Sequence, residues 1–315
     1  MSSLIKNTLL ILFSLFIGLL VIEFGLRAKN LSGNNYDIEM WRYAKELKKP
    51  SDNPILGHEH VRSSSALLQN VEIRTNSFGM RGAEPLKSYS RRILFLGSSI
   101  TLGWGVNESN VFTTLIKNKY KKDGVNVDIL NAGIGNYNTE RYVENFIQNL
   151  HALKPSDVVV HYFLNDAEIL ASGGGNYLTK HFQLAVLGWG AYQRIFGNSA
   201  SLPMTKYYEN LYSDKSEGIK RMLASLDKLN KYCQDRKINL YFSIVPDIHN
   251  LEAYPYLNIH NKLIGYAKER GIKYIDFLDS MSGLSPNTVW NLANDPHPNA
   301  LGHKKMADQL YPVLN

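Results

Sequence analysis

Two different hydrophobic patterns divide the chain. From Thr8 to Ile22 the residues are apolar apart from Thr8, Ser14 and Gly18, and after Glu23 the run resumes with Phe24, Gly25 and Leu26 before Arg27. At about 1.5 Å per residue, a helix extended to Leu26 approaches the ~20 residues that cross a bilayer. The segment is read as an uncleaved membrane anchor, with a cleaved signal peptide and a buried helix as the alternatives, since no small-x-small cleavage site follows it. After residue 91 short apolar runs alternate with amphipathic stretches. Strands are predicted at Ile93–Leu96, Val127–Leu130, Val158–Phe163, Leu240–Val245 and Tyr274–Phe277. Helices are predicted near 110–121, 139–150, 216–235, 258–270 and 300–311. This alternation predicts an α/β fold with a parallel sheet covered on both faces.

Two stretches break the pattern. Residues 30–90 are mixed and read as a stalk and irregular cap, with a short helix at Trp41–Leu47 and a break from Pro50 to Pro54. Residues from about 167 to 213 hold Ser172-Gly173-Gly174-Gly175 and an aromatic-rich run, Phe182–Gly190, followed by Tyr192 and Phe196. An insertion of this length is either a lid or binding element, or a helical excursion that extends the core. The expected division is 1–29 as anchor, 30–90 as stalk and cap, and 91–315 as the α/β domain with its insertion.

Composition narrows the classes. Hydrophobic residues at 44% and charged residues at 20% describe a chain that buries a core, which excludes a disordered protein. The net charge of +7 would suit nucleic acid, an anionic membrane surface or an acidic glycan. Lys and Arg are spread without a basic tract or nucleic-acid motif, so no nucleic-acid partner is expected. Cys233 is the single cysteine, which excludes an intramolecular disulfide and a multi-cysteine metal site. Gly57-His58-Glu59-His60 offers alternate histidines with no third ligand and is read as ordinary loop, so no metal is expected.

Chemistry gathers at strand ends. In open parallel sheets ligands collect at the carboxyl ends of the strands. The three most polar ends here are Gly97-Ser98-Ser99, Asn131-Ala132-Gly133 and Asn165-Asp166. An apolar strand that breaks into Gly and small hydroxyl residues can present a serine on a tight elbow. Far downstream, Asp295-Pro296-His297-Pro298-Asn299 fixes a histidine between two prolines, with Asn299 as the expected N-cap of the last helix. Asp295 is near enough in sequence to orient the imidazole.

With these residues placed, the chain resembles the SGNH/GDSL hydrolase superfamily from about Asn76 to Asn315. Gly97–Gly103 is similar to its first block, Asn131–Thr139 to its second, Phe163-Leu164-Asn165-Asp166 to its third and Asp295–Asn299 to its last. The resemblance implies a three-layer, flavodoxin-like sandwich around a mainly five-stranded parallel sheet, preceded by the transmembrane helix. It implies Ser99 as nucleophile, His297 as general base and then acid, and Asp295 as the residue that orients the imidazole. The oxyanion donors it implies are the backbone N–H groups of Ser99 and Asn136 and the side-chain amide of Asn165, with no cofactor. The sequence departs from the family at Ser98, where an acid is usual, and at Asn136 and Phe163, where glycines are. The acid also stands two residues before His297, not three; Asn294 occupies the usual place. That spacing resembles SGNH-like alginate O-acetyltransferases.

The expectation is a membrane-anchored serine esterase removing small acyl groups, foremost O-acetyl, from a bacterial surface glycan through an acyl-serine. The alternatives are a glycan O-acetyltransferase, a lipase or lysophospholipase using the aromatic insertion, and an inactive glycan-binding or assembly protein. The family habit implies an extracytoplasmic, periplasmic domain, with room for a membrane acyltransferase partner. Counting flanking charge favours the cytoplasm instead, because Arg27, Lys29, Arg42 and Lys45 follow the anchor and only Lys6 precedes it.

Overall fold

The structure is a computed structural model that describes residues 3–171, 176–196, 202–292, 295 and 297–315. The glycine-rich run 172–175, and Asn294 and Pro296 beside the histidine, lie outside the described residues. In chain order the first elements are α1 (Ser3–Asn30), α2 (Tyr36–Glu46), β1 (Lys48–Pro50), β2 (His58–His60), β3 (Ser65–Leu68) and β4 (Val71–Arg74). Then follow β5 (Arg91–Gly97), α3 (Ser99–Leu102), α4 (Phe112–Lys122), β6 (Val127–Gly133), α5 (Thr139–Asn145) and β7 (Asp157–Phe163). The insertion contributes α6 (Tyr177–His181), α7 (Gln183–Phe196) and α8 (Met204–Leu211). The chain ends with α9 (Glu217–Asp235), β8 (Asn239–Val245), α10 (Leu257–Glu269), β9 (Lys273–Asp276), α11 (Leu278–Met281) and α12 (Ala300–Leu314).

The chain forms two compact units. One comprises Met1–Glu46, Leu68–Asn70 and Gly174–Ser201; the other comprises Leu47–Leu67, Val71–Gly173 and Leu202–Asn315. In the first unit, α1 is long and apolar enough to cross a membrane. Its side chains, Leu10, Phe13, Phe16 and Val21 among them, stand exposed, unlike those of a core helix. Glu23 interrupts the apolar run for a local reason. Its carboxylate accepts the Gln183 and Leu184 N–H groups at 3.0 and 2.9 Å, and so occupies the N-terminus of α7, where a negative charge is favoured. Arg27 holds Glu23 at 2.7 Å, and Asn30 donates to the Gln183 side chain at 2.8 Å. Trp189, Tyr192, Ile195 and Phe196 of α7 are more than half exposed. They share one helical face by their spacing, with Trp189 stacked on Tyr192.

In the second unit the sheet runs β6-β5-β7-β8-β9, parallel at every pair. This is the flavodoxin-like order, and its switch point lies between β5 and β7. All five predicted strands are present, each within three residues of the expected bounds. Alternate residues serve opposite faces, as strand geometry requires. Leu94, Leu96, Val158, Val160 and Phe242 pack with α5, α9 and α10, while Ile93, Phe95, Val159 and Tyr241 pack with α4, α11 and α12. The helix expected at 139–150 runs as α5 and continues through a π-type turn, Phe146–Leu150.

The turn after β5 is held from outside the sheet. Arg81, buried, donates to the carbonyls of Leu102 and Gly103 at 2.8 and 2.6 Å and of Val106 at 2.7 Å. Replacing its guanidinium leaves three buried acceptors short of a donor. Arg81→Met is expected to lower the unfolding free energy by about 3 kcal/mol, read by denaturant titration, because unmet buried acceptors each cost roughly 1–3 kcal/mol.

Candidate active site

Ser99 opens α3 directly after β5, and the elbow fits only because of glycine. A Cβ at Gly97 would meet the Thr101 hydroxyl at 2.0 Å and the His161 carbonyl at 2.7 Å; one at Gly133 would meet the Leu102 N at 2.2 Å. The short helix thus sits on the ends of β5 and β6. Asn131 ties it down, donating through its side-chain amide to the Thr101 carbonyl at 2.6 Å.

His297 and Asp295 reach this elbow from a loop before α12. His297 Nε2 lies 2.7 Å from Ser99 Oγ, and His297 Nδ1 lies 2.5 Å from Asp295 Oδ1, which also accepts the His297 backbone N–H at 3.0 Å. Donation of Nδ1–H to the carboxylate leaves the Nε2 lone pair to accept the serine proton. The loop is anchored as the sequence predicts. Asn299 caps α12 through the Leu301 N–H at 2.9 Å and the Gly302 N–H at 3.3 Å, and its amide holds the carbonyls of Thr288 and Trp290. Asp295 and His297 are buried, and Ser99 is half-buried.

The other named residues stand at the ends of neighbouring strands. Asn136 lies in the turn after β6 and Asn165 in the 3-10 turn that follows β7, so β5 with Ser99 stands between them in the sheet. Asn136 has φ +62°, the left-handed conformation that glycine adopts freely and Asn tolerates. Ser98 is buried, and Phe163 ends β7 with its side chain in the core. Burial pushes the Asp166 carboxyl up to about 8, against the Phe163 N–H that it accepts at 3.1 Å.

Sequence reasoning read His58 and His60 as ordinary loop, whereas they lie in strand β2, and it passed over several other residues. His58 and His60 pin backbone: His58 Nε2 meets the Gly135 carbonyl at 3.1 Å, and His60 Nδ1 the Gly79 carbonyl at 2.7 Å. Lys48 also donates to Gly135 at 2.7 Å. Asp247-Ile248-His249 repeats the Asp-x-His spacing and geometry, with Nδ1 2.7 Å and the backbone N–H 2.9 Å from Asp247 Oδ1. That repeat was visible in the sequence; the lysine and arginine contacts to carbonyls carried no pattern. Among the described residues no group of three or more His, Cys, Asp or Glu is placed to hold a metal ion.

The family model described as GDSL-like lipase/acylhydrolase matches residues 95–305. The chain belongs to this family. As a GDSL-like acylhydrolase it is an ester hydrolase. Among solved structures, the psychrotrophic esterase EstA from a Pseudoalteromonas species is similar at 16% identity and TM-score 0.46, over 72% of this chain and 100% of that one. A catalytic mutant of the acetylxylan esterase Axe2 from Geobacillus stearothermophilus is similar at 15% identity and TM-score 0.48, over 71% and 94%. TesA is similar at 14% identity and TM-score 0.47, over 71% and 98%. Comparison with curated proteins gave no match.

The raised Asp166 carboxyl of this GDSL-like hydrolase has a thermodynamic consequence. Between about pH 4, its unfolded value, and about 8, the folded chain holds a proton that the unfolded chain has lost, so stability falls as pH rises through that window. Asp166→Asn removes the titration. Its melting temperature relative to wild type is expected to climb by at least about 3 °C from pH 5 to pH 8 in parallel thermal scans; a constant difference would refute the protonated carboxyl.

Proposed function

We propose that the protein is a membrane-anchored serine esterase that removes small acyl groups, O-acetyl foremost, from a cell-surface glycan. The anchor, the cap and the hydrolase domain are those of the division set out above. The Ser99–His297–Asp295 chain of hydrogen bonds carries this reading. Ser99 Oγ attacks the ester carbonyl while His297 Nε2 takes its proton, and Asp295 holds the imidazolium that results. The oxyanion is received by the Ser99 and Asn136 N–H groups and the Asn165 amide. His297 then protonates the departing alkoxide, which leaves an acyl-serine. A water, deprotonated by His297, attacks that acyl group, and collapse returns the proton to Ser99 Oγ and releases the carboxylic acid.

A transferase reading, in which a sugar hydroxyl replaces the water, is favoured by one observation: the acid stands two residues before His297, as in the alginate O-acetyltransferases that this block resembles.

The full chain in detergent is expected to hydrolyse p-nitrophenyl acetate faster than the decanoate, with Ser99→Ala and His297→Ala each losing at least about 10³-fold in kcat. Asn165→Ala is expected to lose about 10²–10³-fold with little change in KM, the cost of one oxyanion donor. Faster turnover of decanoate would replace the small-acyl reading with a lipase. Folded protein with neither turnover nor Ser99 labelling by a fluorophosphonate would end the esterase reading.

The membrane reading is supported within the first unit. Glu23, Arg27 and Asn30 bind the far end of α1 to α6 and α7, which a cleaved signal would forfeit. Beside that end, the aromatic face of α7 has the Trp and Tyr composition of a membrane interface. In bilayers with brominated acyl chains, tryptophan emission is expected to be quenched in wild type and much less in Trp189→Phe. Equal quenching would place Trp189 in water. The proposed extracytoplasmic orientation predicts an active alkaline phosphatase fused after Asn315.

A further inference from the structure

The oxyanion loop is a turn of four residues, Ile134-Gly135-Asn136-Tyr137, closed by the Tyr137 N–H on the Ile134 carbonyl at 3.2 Å. Its central peptide joins the Gly135 carbonyl to the Asn136 N–H. A peptide group is planar and trans, so its C=O and N–H point in opposite directions. Whatever holds the carbonyl therefore aims the N–H. In turns of this kind the central peptide is the one whose rotation separates the two commonest forms, so its direction needs a cause beyond the closing hydrogen bond.

That cause is on the page. Lys48 Nζ donates to the Gly135 carbonyl at 2.7 Å and His58 Nε2–H donates to it at 3.1 Å. Arg141 Nη1 holds the next carbonyl, of Asn136, at 3.3 Å, and its other arm holds Ala171 at 2.9 Å. Both Lys48 and His58 come from the β1–β2 hairpin, outside the segment that the family model matches. We propose that Lys48, assisted by His58, is a positioning residue for catalysis: it fixes and polarises the Gly135–Asn136 peptide so that the Asn136 N–H is aimed at the oxyanion. A cationic donor on the carbonyl draws electron density through the amide and strengthens the N–H on the opposite side. The inference rests on the reading that Asn136 donates to the oxyanion.

The surroundings make Lys48 titratable in a useful range. The charged and titratable groups about it are Arg141 on α5, His58 and His60 on β2, and Tyr137 in the turn; Glu59 is turned to Ser51 and Lys49. Burial, with repulsion from Arg141, lowers the Lys48 ammonium to about 7. His58, lowered to about 3 by burial and by Lys48, stays neutral and donates as its Nε2–H tautomer. Below about pH 7 the peptide is thus polarised by a cation; above it the amine keeps at most a weaker hydrogen bond.

The test compares wild type, Lys48→Gln and Lys48→Arg, each as the full chain in detergent, across pH 5.5–9 with p-nitrophenyl acetate. Lys48→Gln is expected to lose about tenfold in kcat at pH 6 with KM within about twofold, less than deletion of a donor itself. The ratio of wild-type to Lys48→Gln kcat is expected to fall as pH rises through about 7; dividing the two removes the limb due to His297. Lys48→Arg, whose charge does not titrate here, is expected to recover activity and to keep it above pH 7. If Lys48→Gln fails to fold, asparagine-selective 15N labelling of wild type reads the same event, as a shift of the Asn136 amide with a midpoint near 7. An active wild type with an unaffected Lys48→Gln, a loss that is constant with pH and not restored by arginine, or an Asn136 amide that does not titrate, overturns the inference alone. An inactive wild type whose Ser99 does not label overturns the esterase reading and the inference with it.

Discussion

Ser99 can face His297 only because no side chain stands at Gly97 or Gly133. The four-residue helix that carries Ser99 rests on the ends of β5 and β6, with backbone and the Thr101 hydroxyl occupying the space where a Cβ would go. From that close approach the rest follows. Asn131 can reach the Thr101 carbonyl, and the Ile134 N–H, at the head of the turn that holds Asn136, can reach the Gly97 carbonyl at 3.2 Å. A methyl group at either glycine would have to push the helix off the sheet and separate Ser99 from His297, 198 residues away in sequence.

Much of this was legible in the chain. Four of the five strands announce themselves because most of their residues are buried on both faces and read as apolar runs, whereas the edge strand β9 is only partly buried; Ser99, Asn136 and Asn165 stand after three of those runs end. The positive φ of Asn136 was foreseeable for a physical reason: it replaces a glycine in the family pattern, and Asn is one of the few side chains that accept the conformation. The helix expected at Trp41–Leu47 instead spans Tyr36–Glu46. Asp37 and Glu39 suit its first turn, a signal that an apolar-period reading undervalues.

What stayed hidden shares one character. Lys48, His58 and Arg81 donate to backbone carbonyls far away in sequence, Arg141 to one five residues back and to another at Ala171, and a carbonyl is present at every position. No spacing rule marks such a contact. The stretch read as stalk and cap looked irregular because its strands are only three or four residues long, and its polar side chains divide between partners inside the stretch, such as Ser51 with Glu59, and carbonyls of the α/β region, such as Gly135. The aromatic insertion shows a related limit. Its helical spacing is visible, but only the fold reveals that the aromatic face of α7 is turned outward while Glu23 of α1 holds its N-terminus.

Charge around the site is distributed by the same buried groups. Beneath the serine elbow, burial holds His161 down to about 3 and His303 well below the ordinary imidazole value, so both are neutral, and Asp166 is driven toward its protonated form. These three groups add no charge there, which leaves the field to few fixed charges, the Arg81 guanidinium on the elbow's carbonyls among them. Others are the Asp295 carboxylate on His297 Nδ1, and Lys48 and Arg141 on the carbonyls of Gly135 and Asn136. In the reaction we propose, positive charge develops on the His297 imidazole and negative charge on the ester oxygen. Each then forms next to its complement, placed before the reaction begins, which is the condition under which electrostatic stabilisation of a transition state is largest.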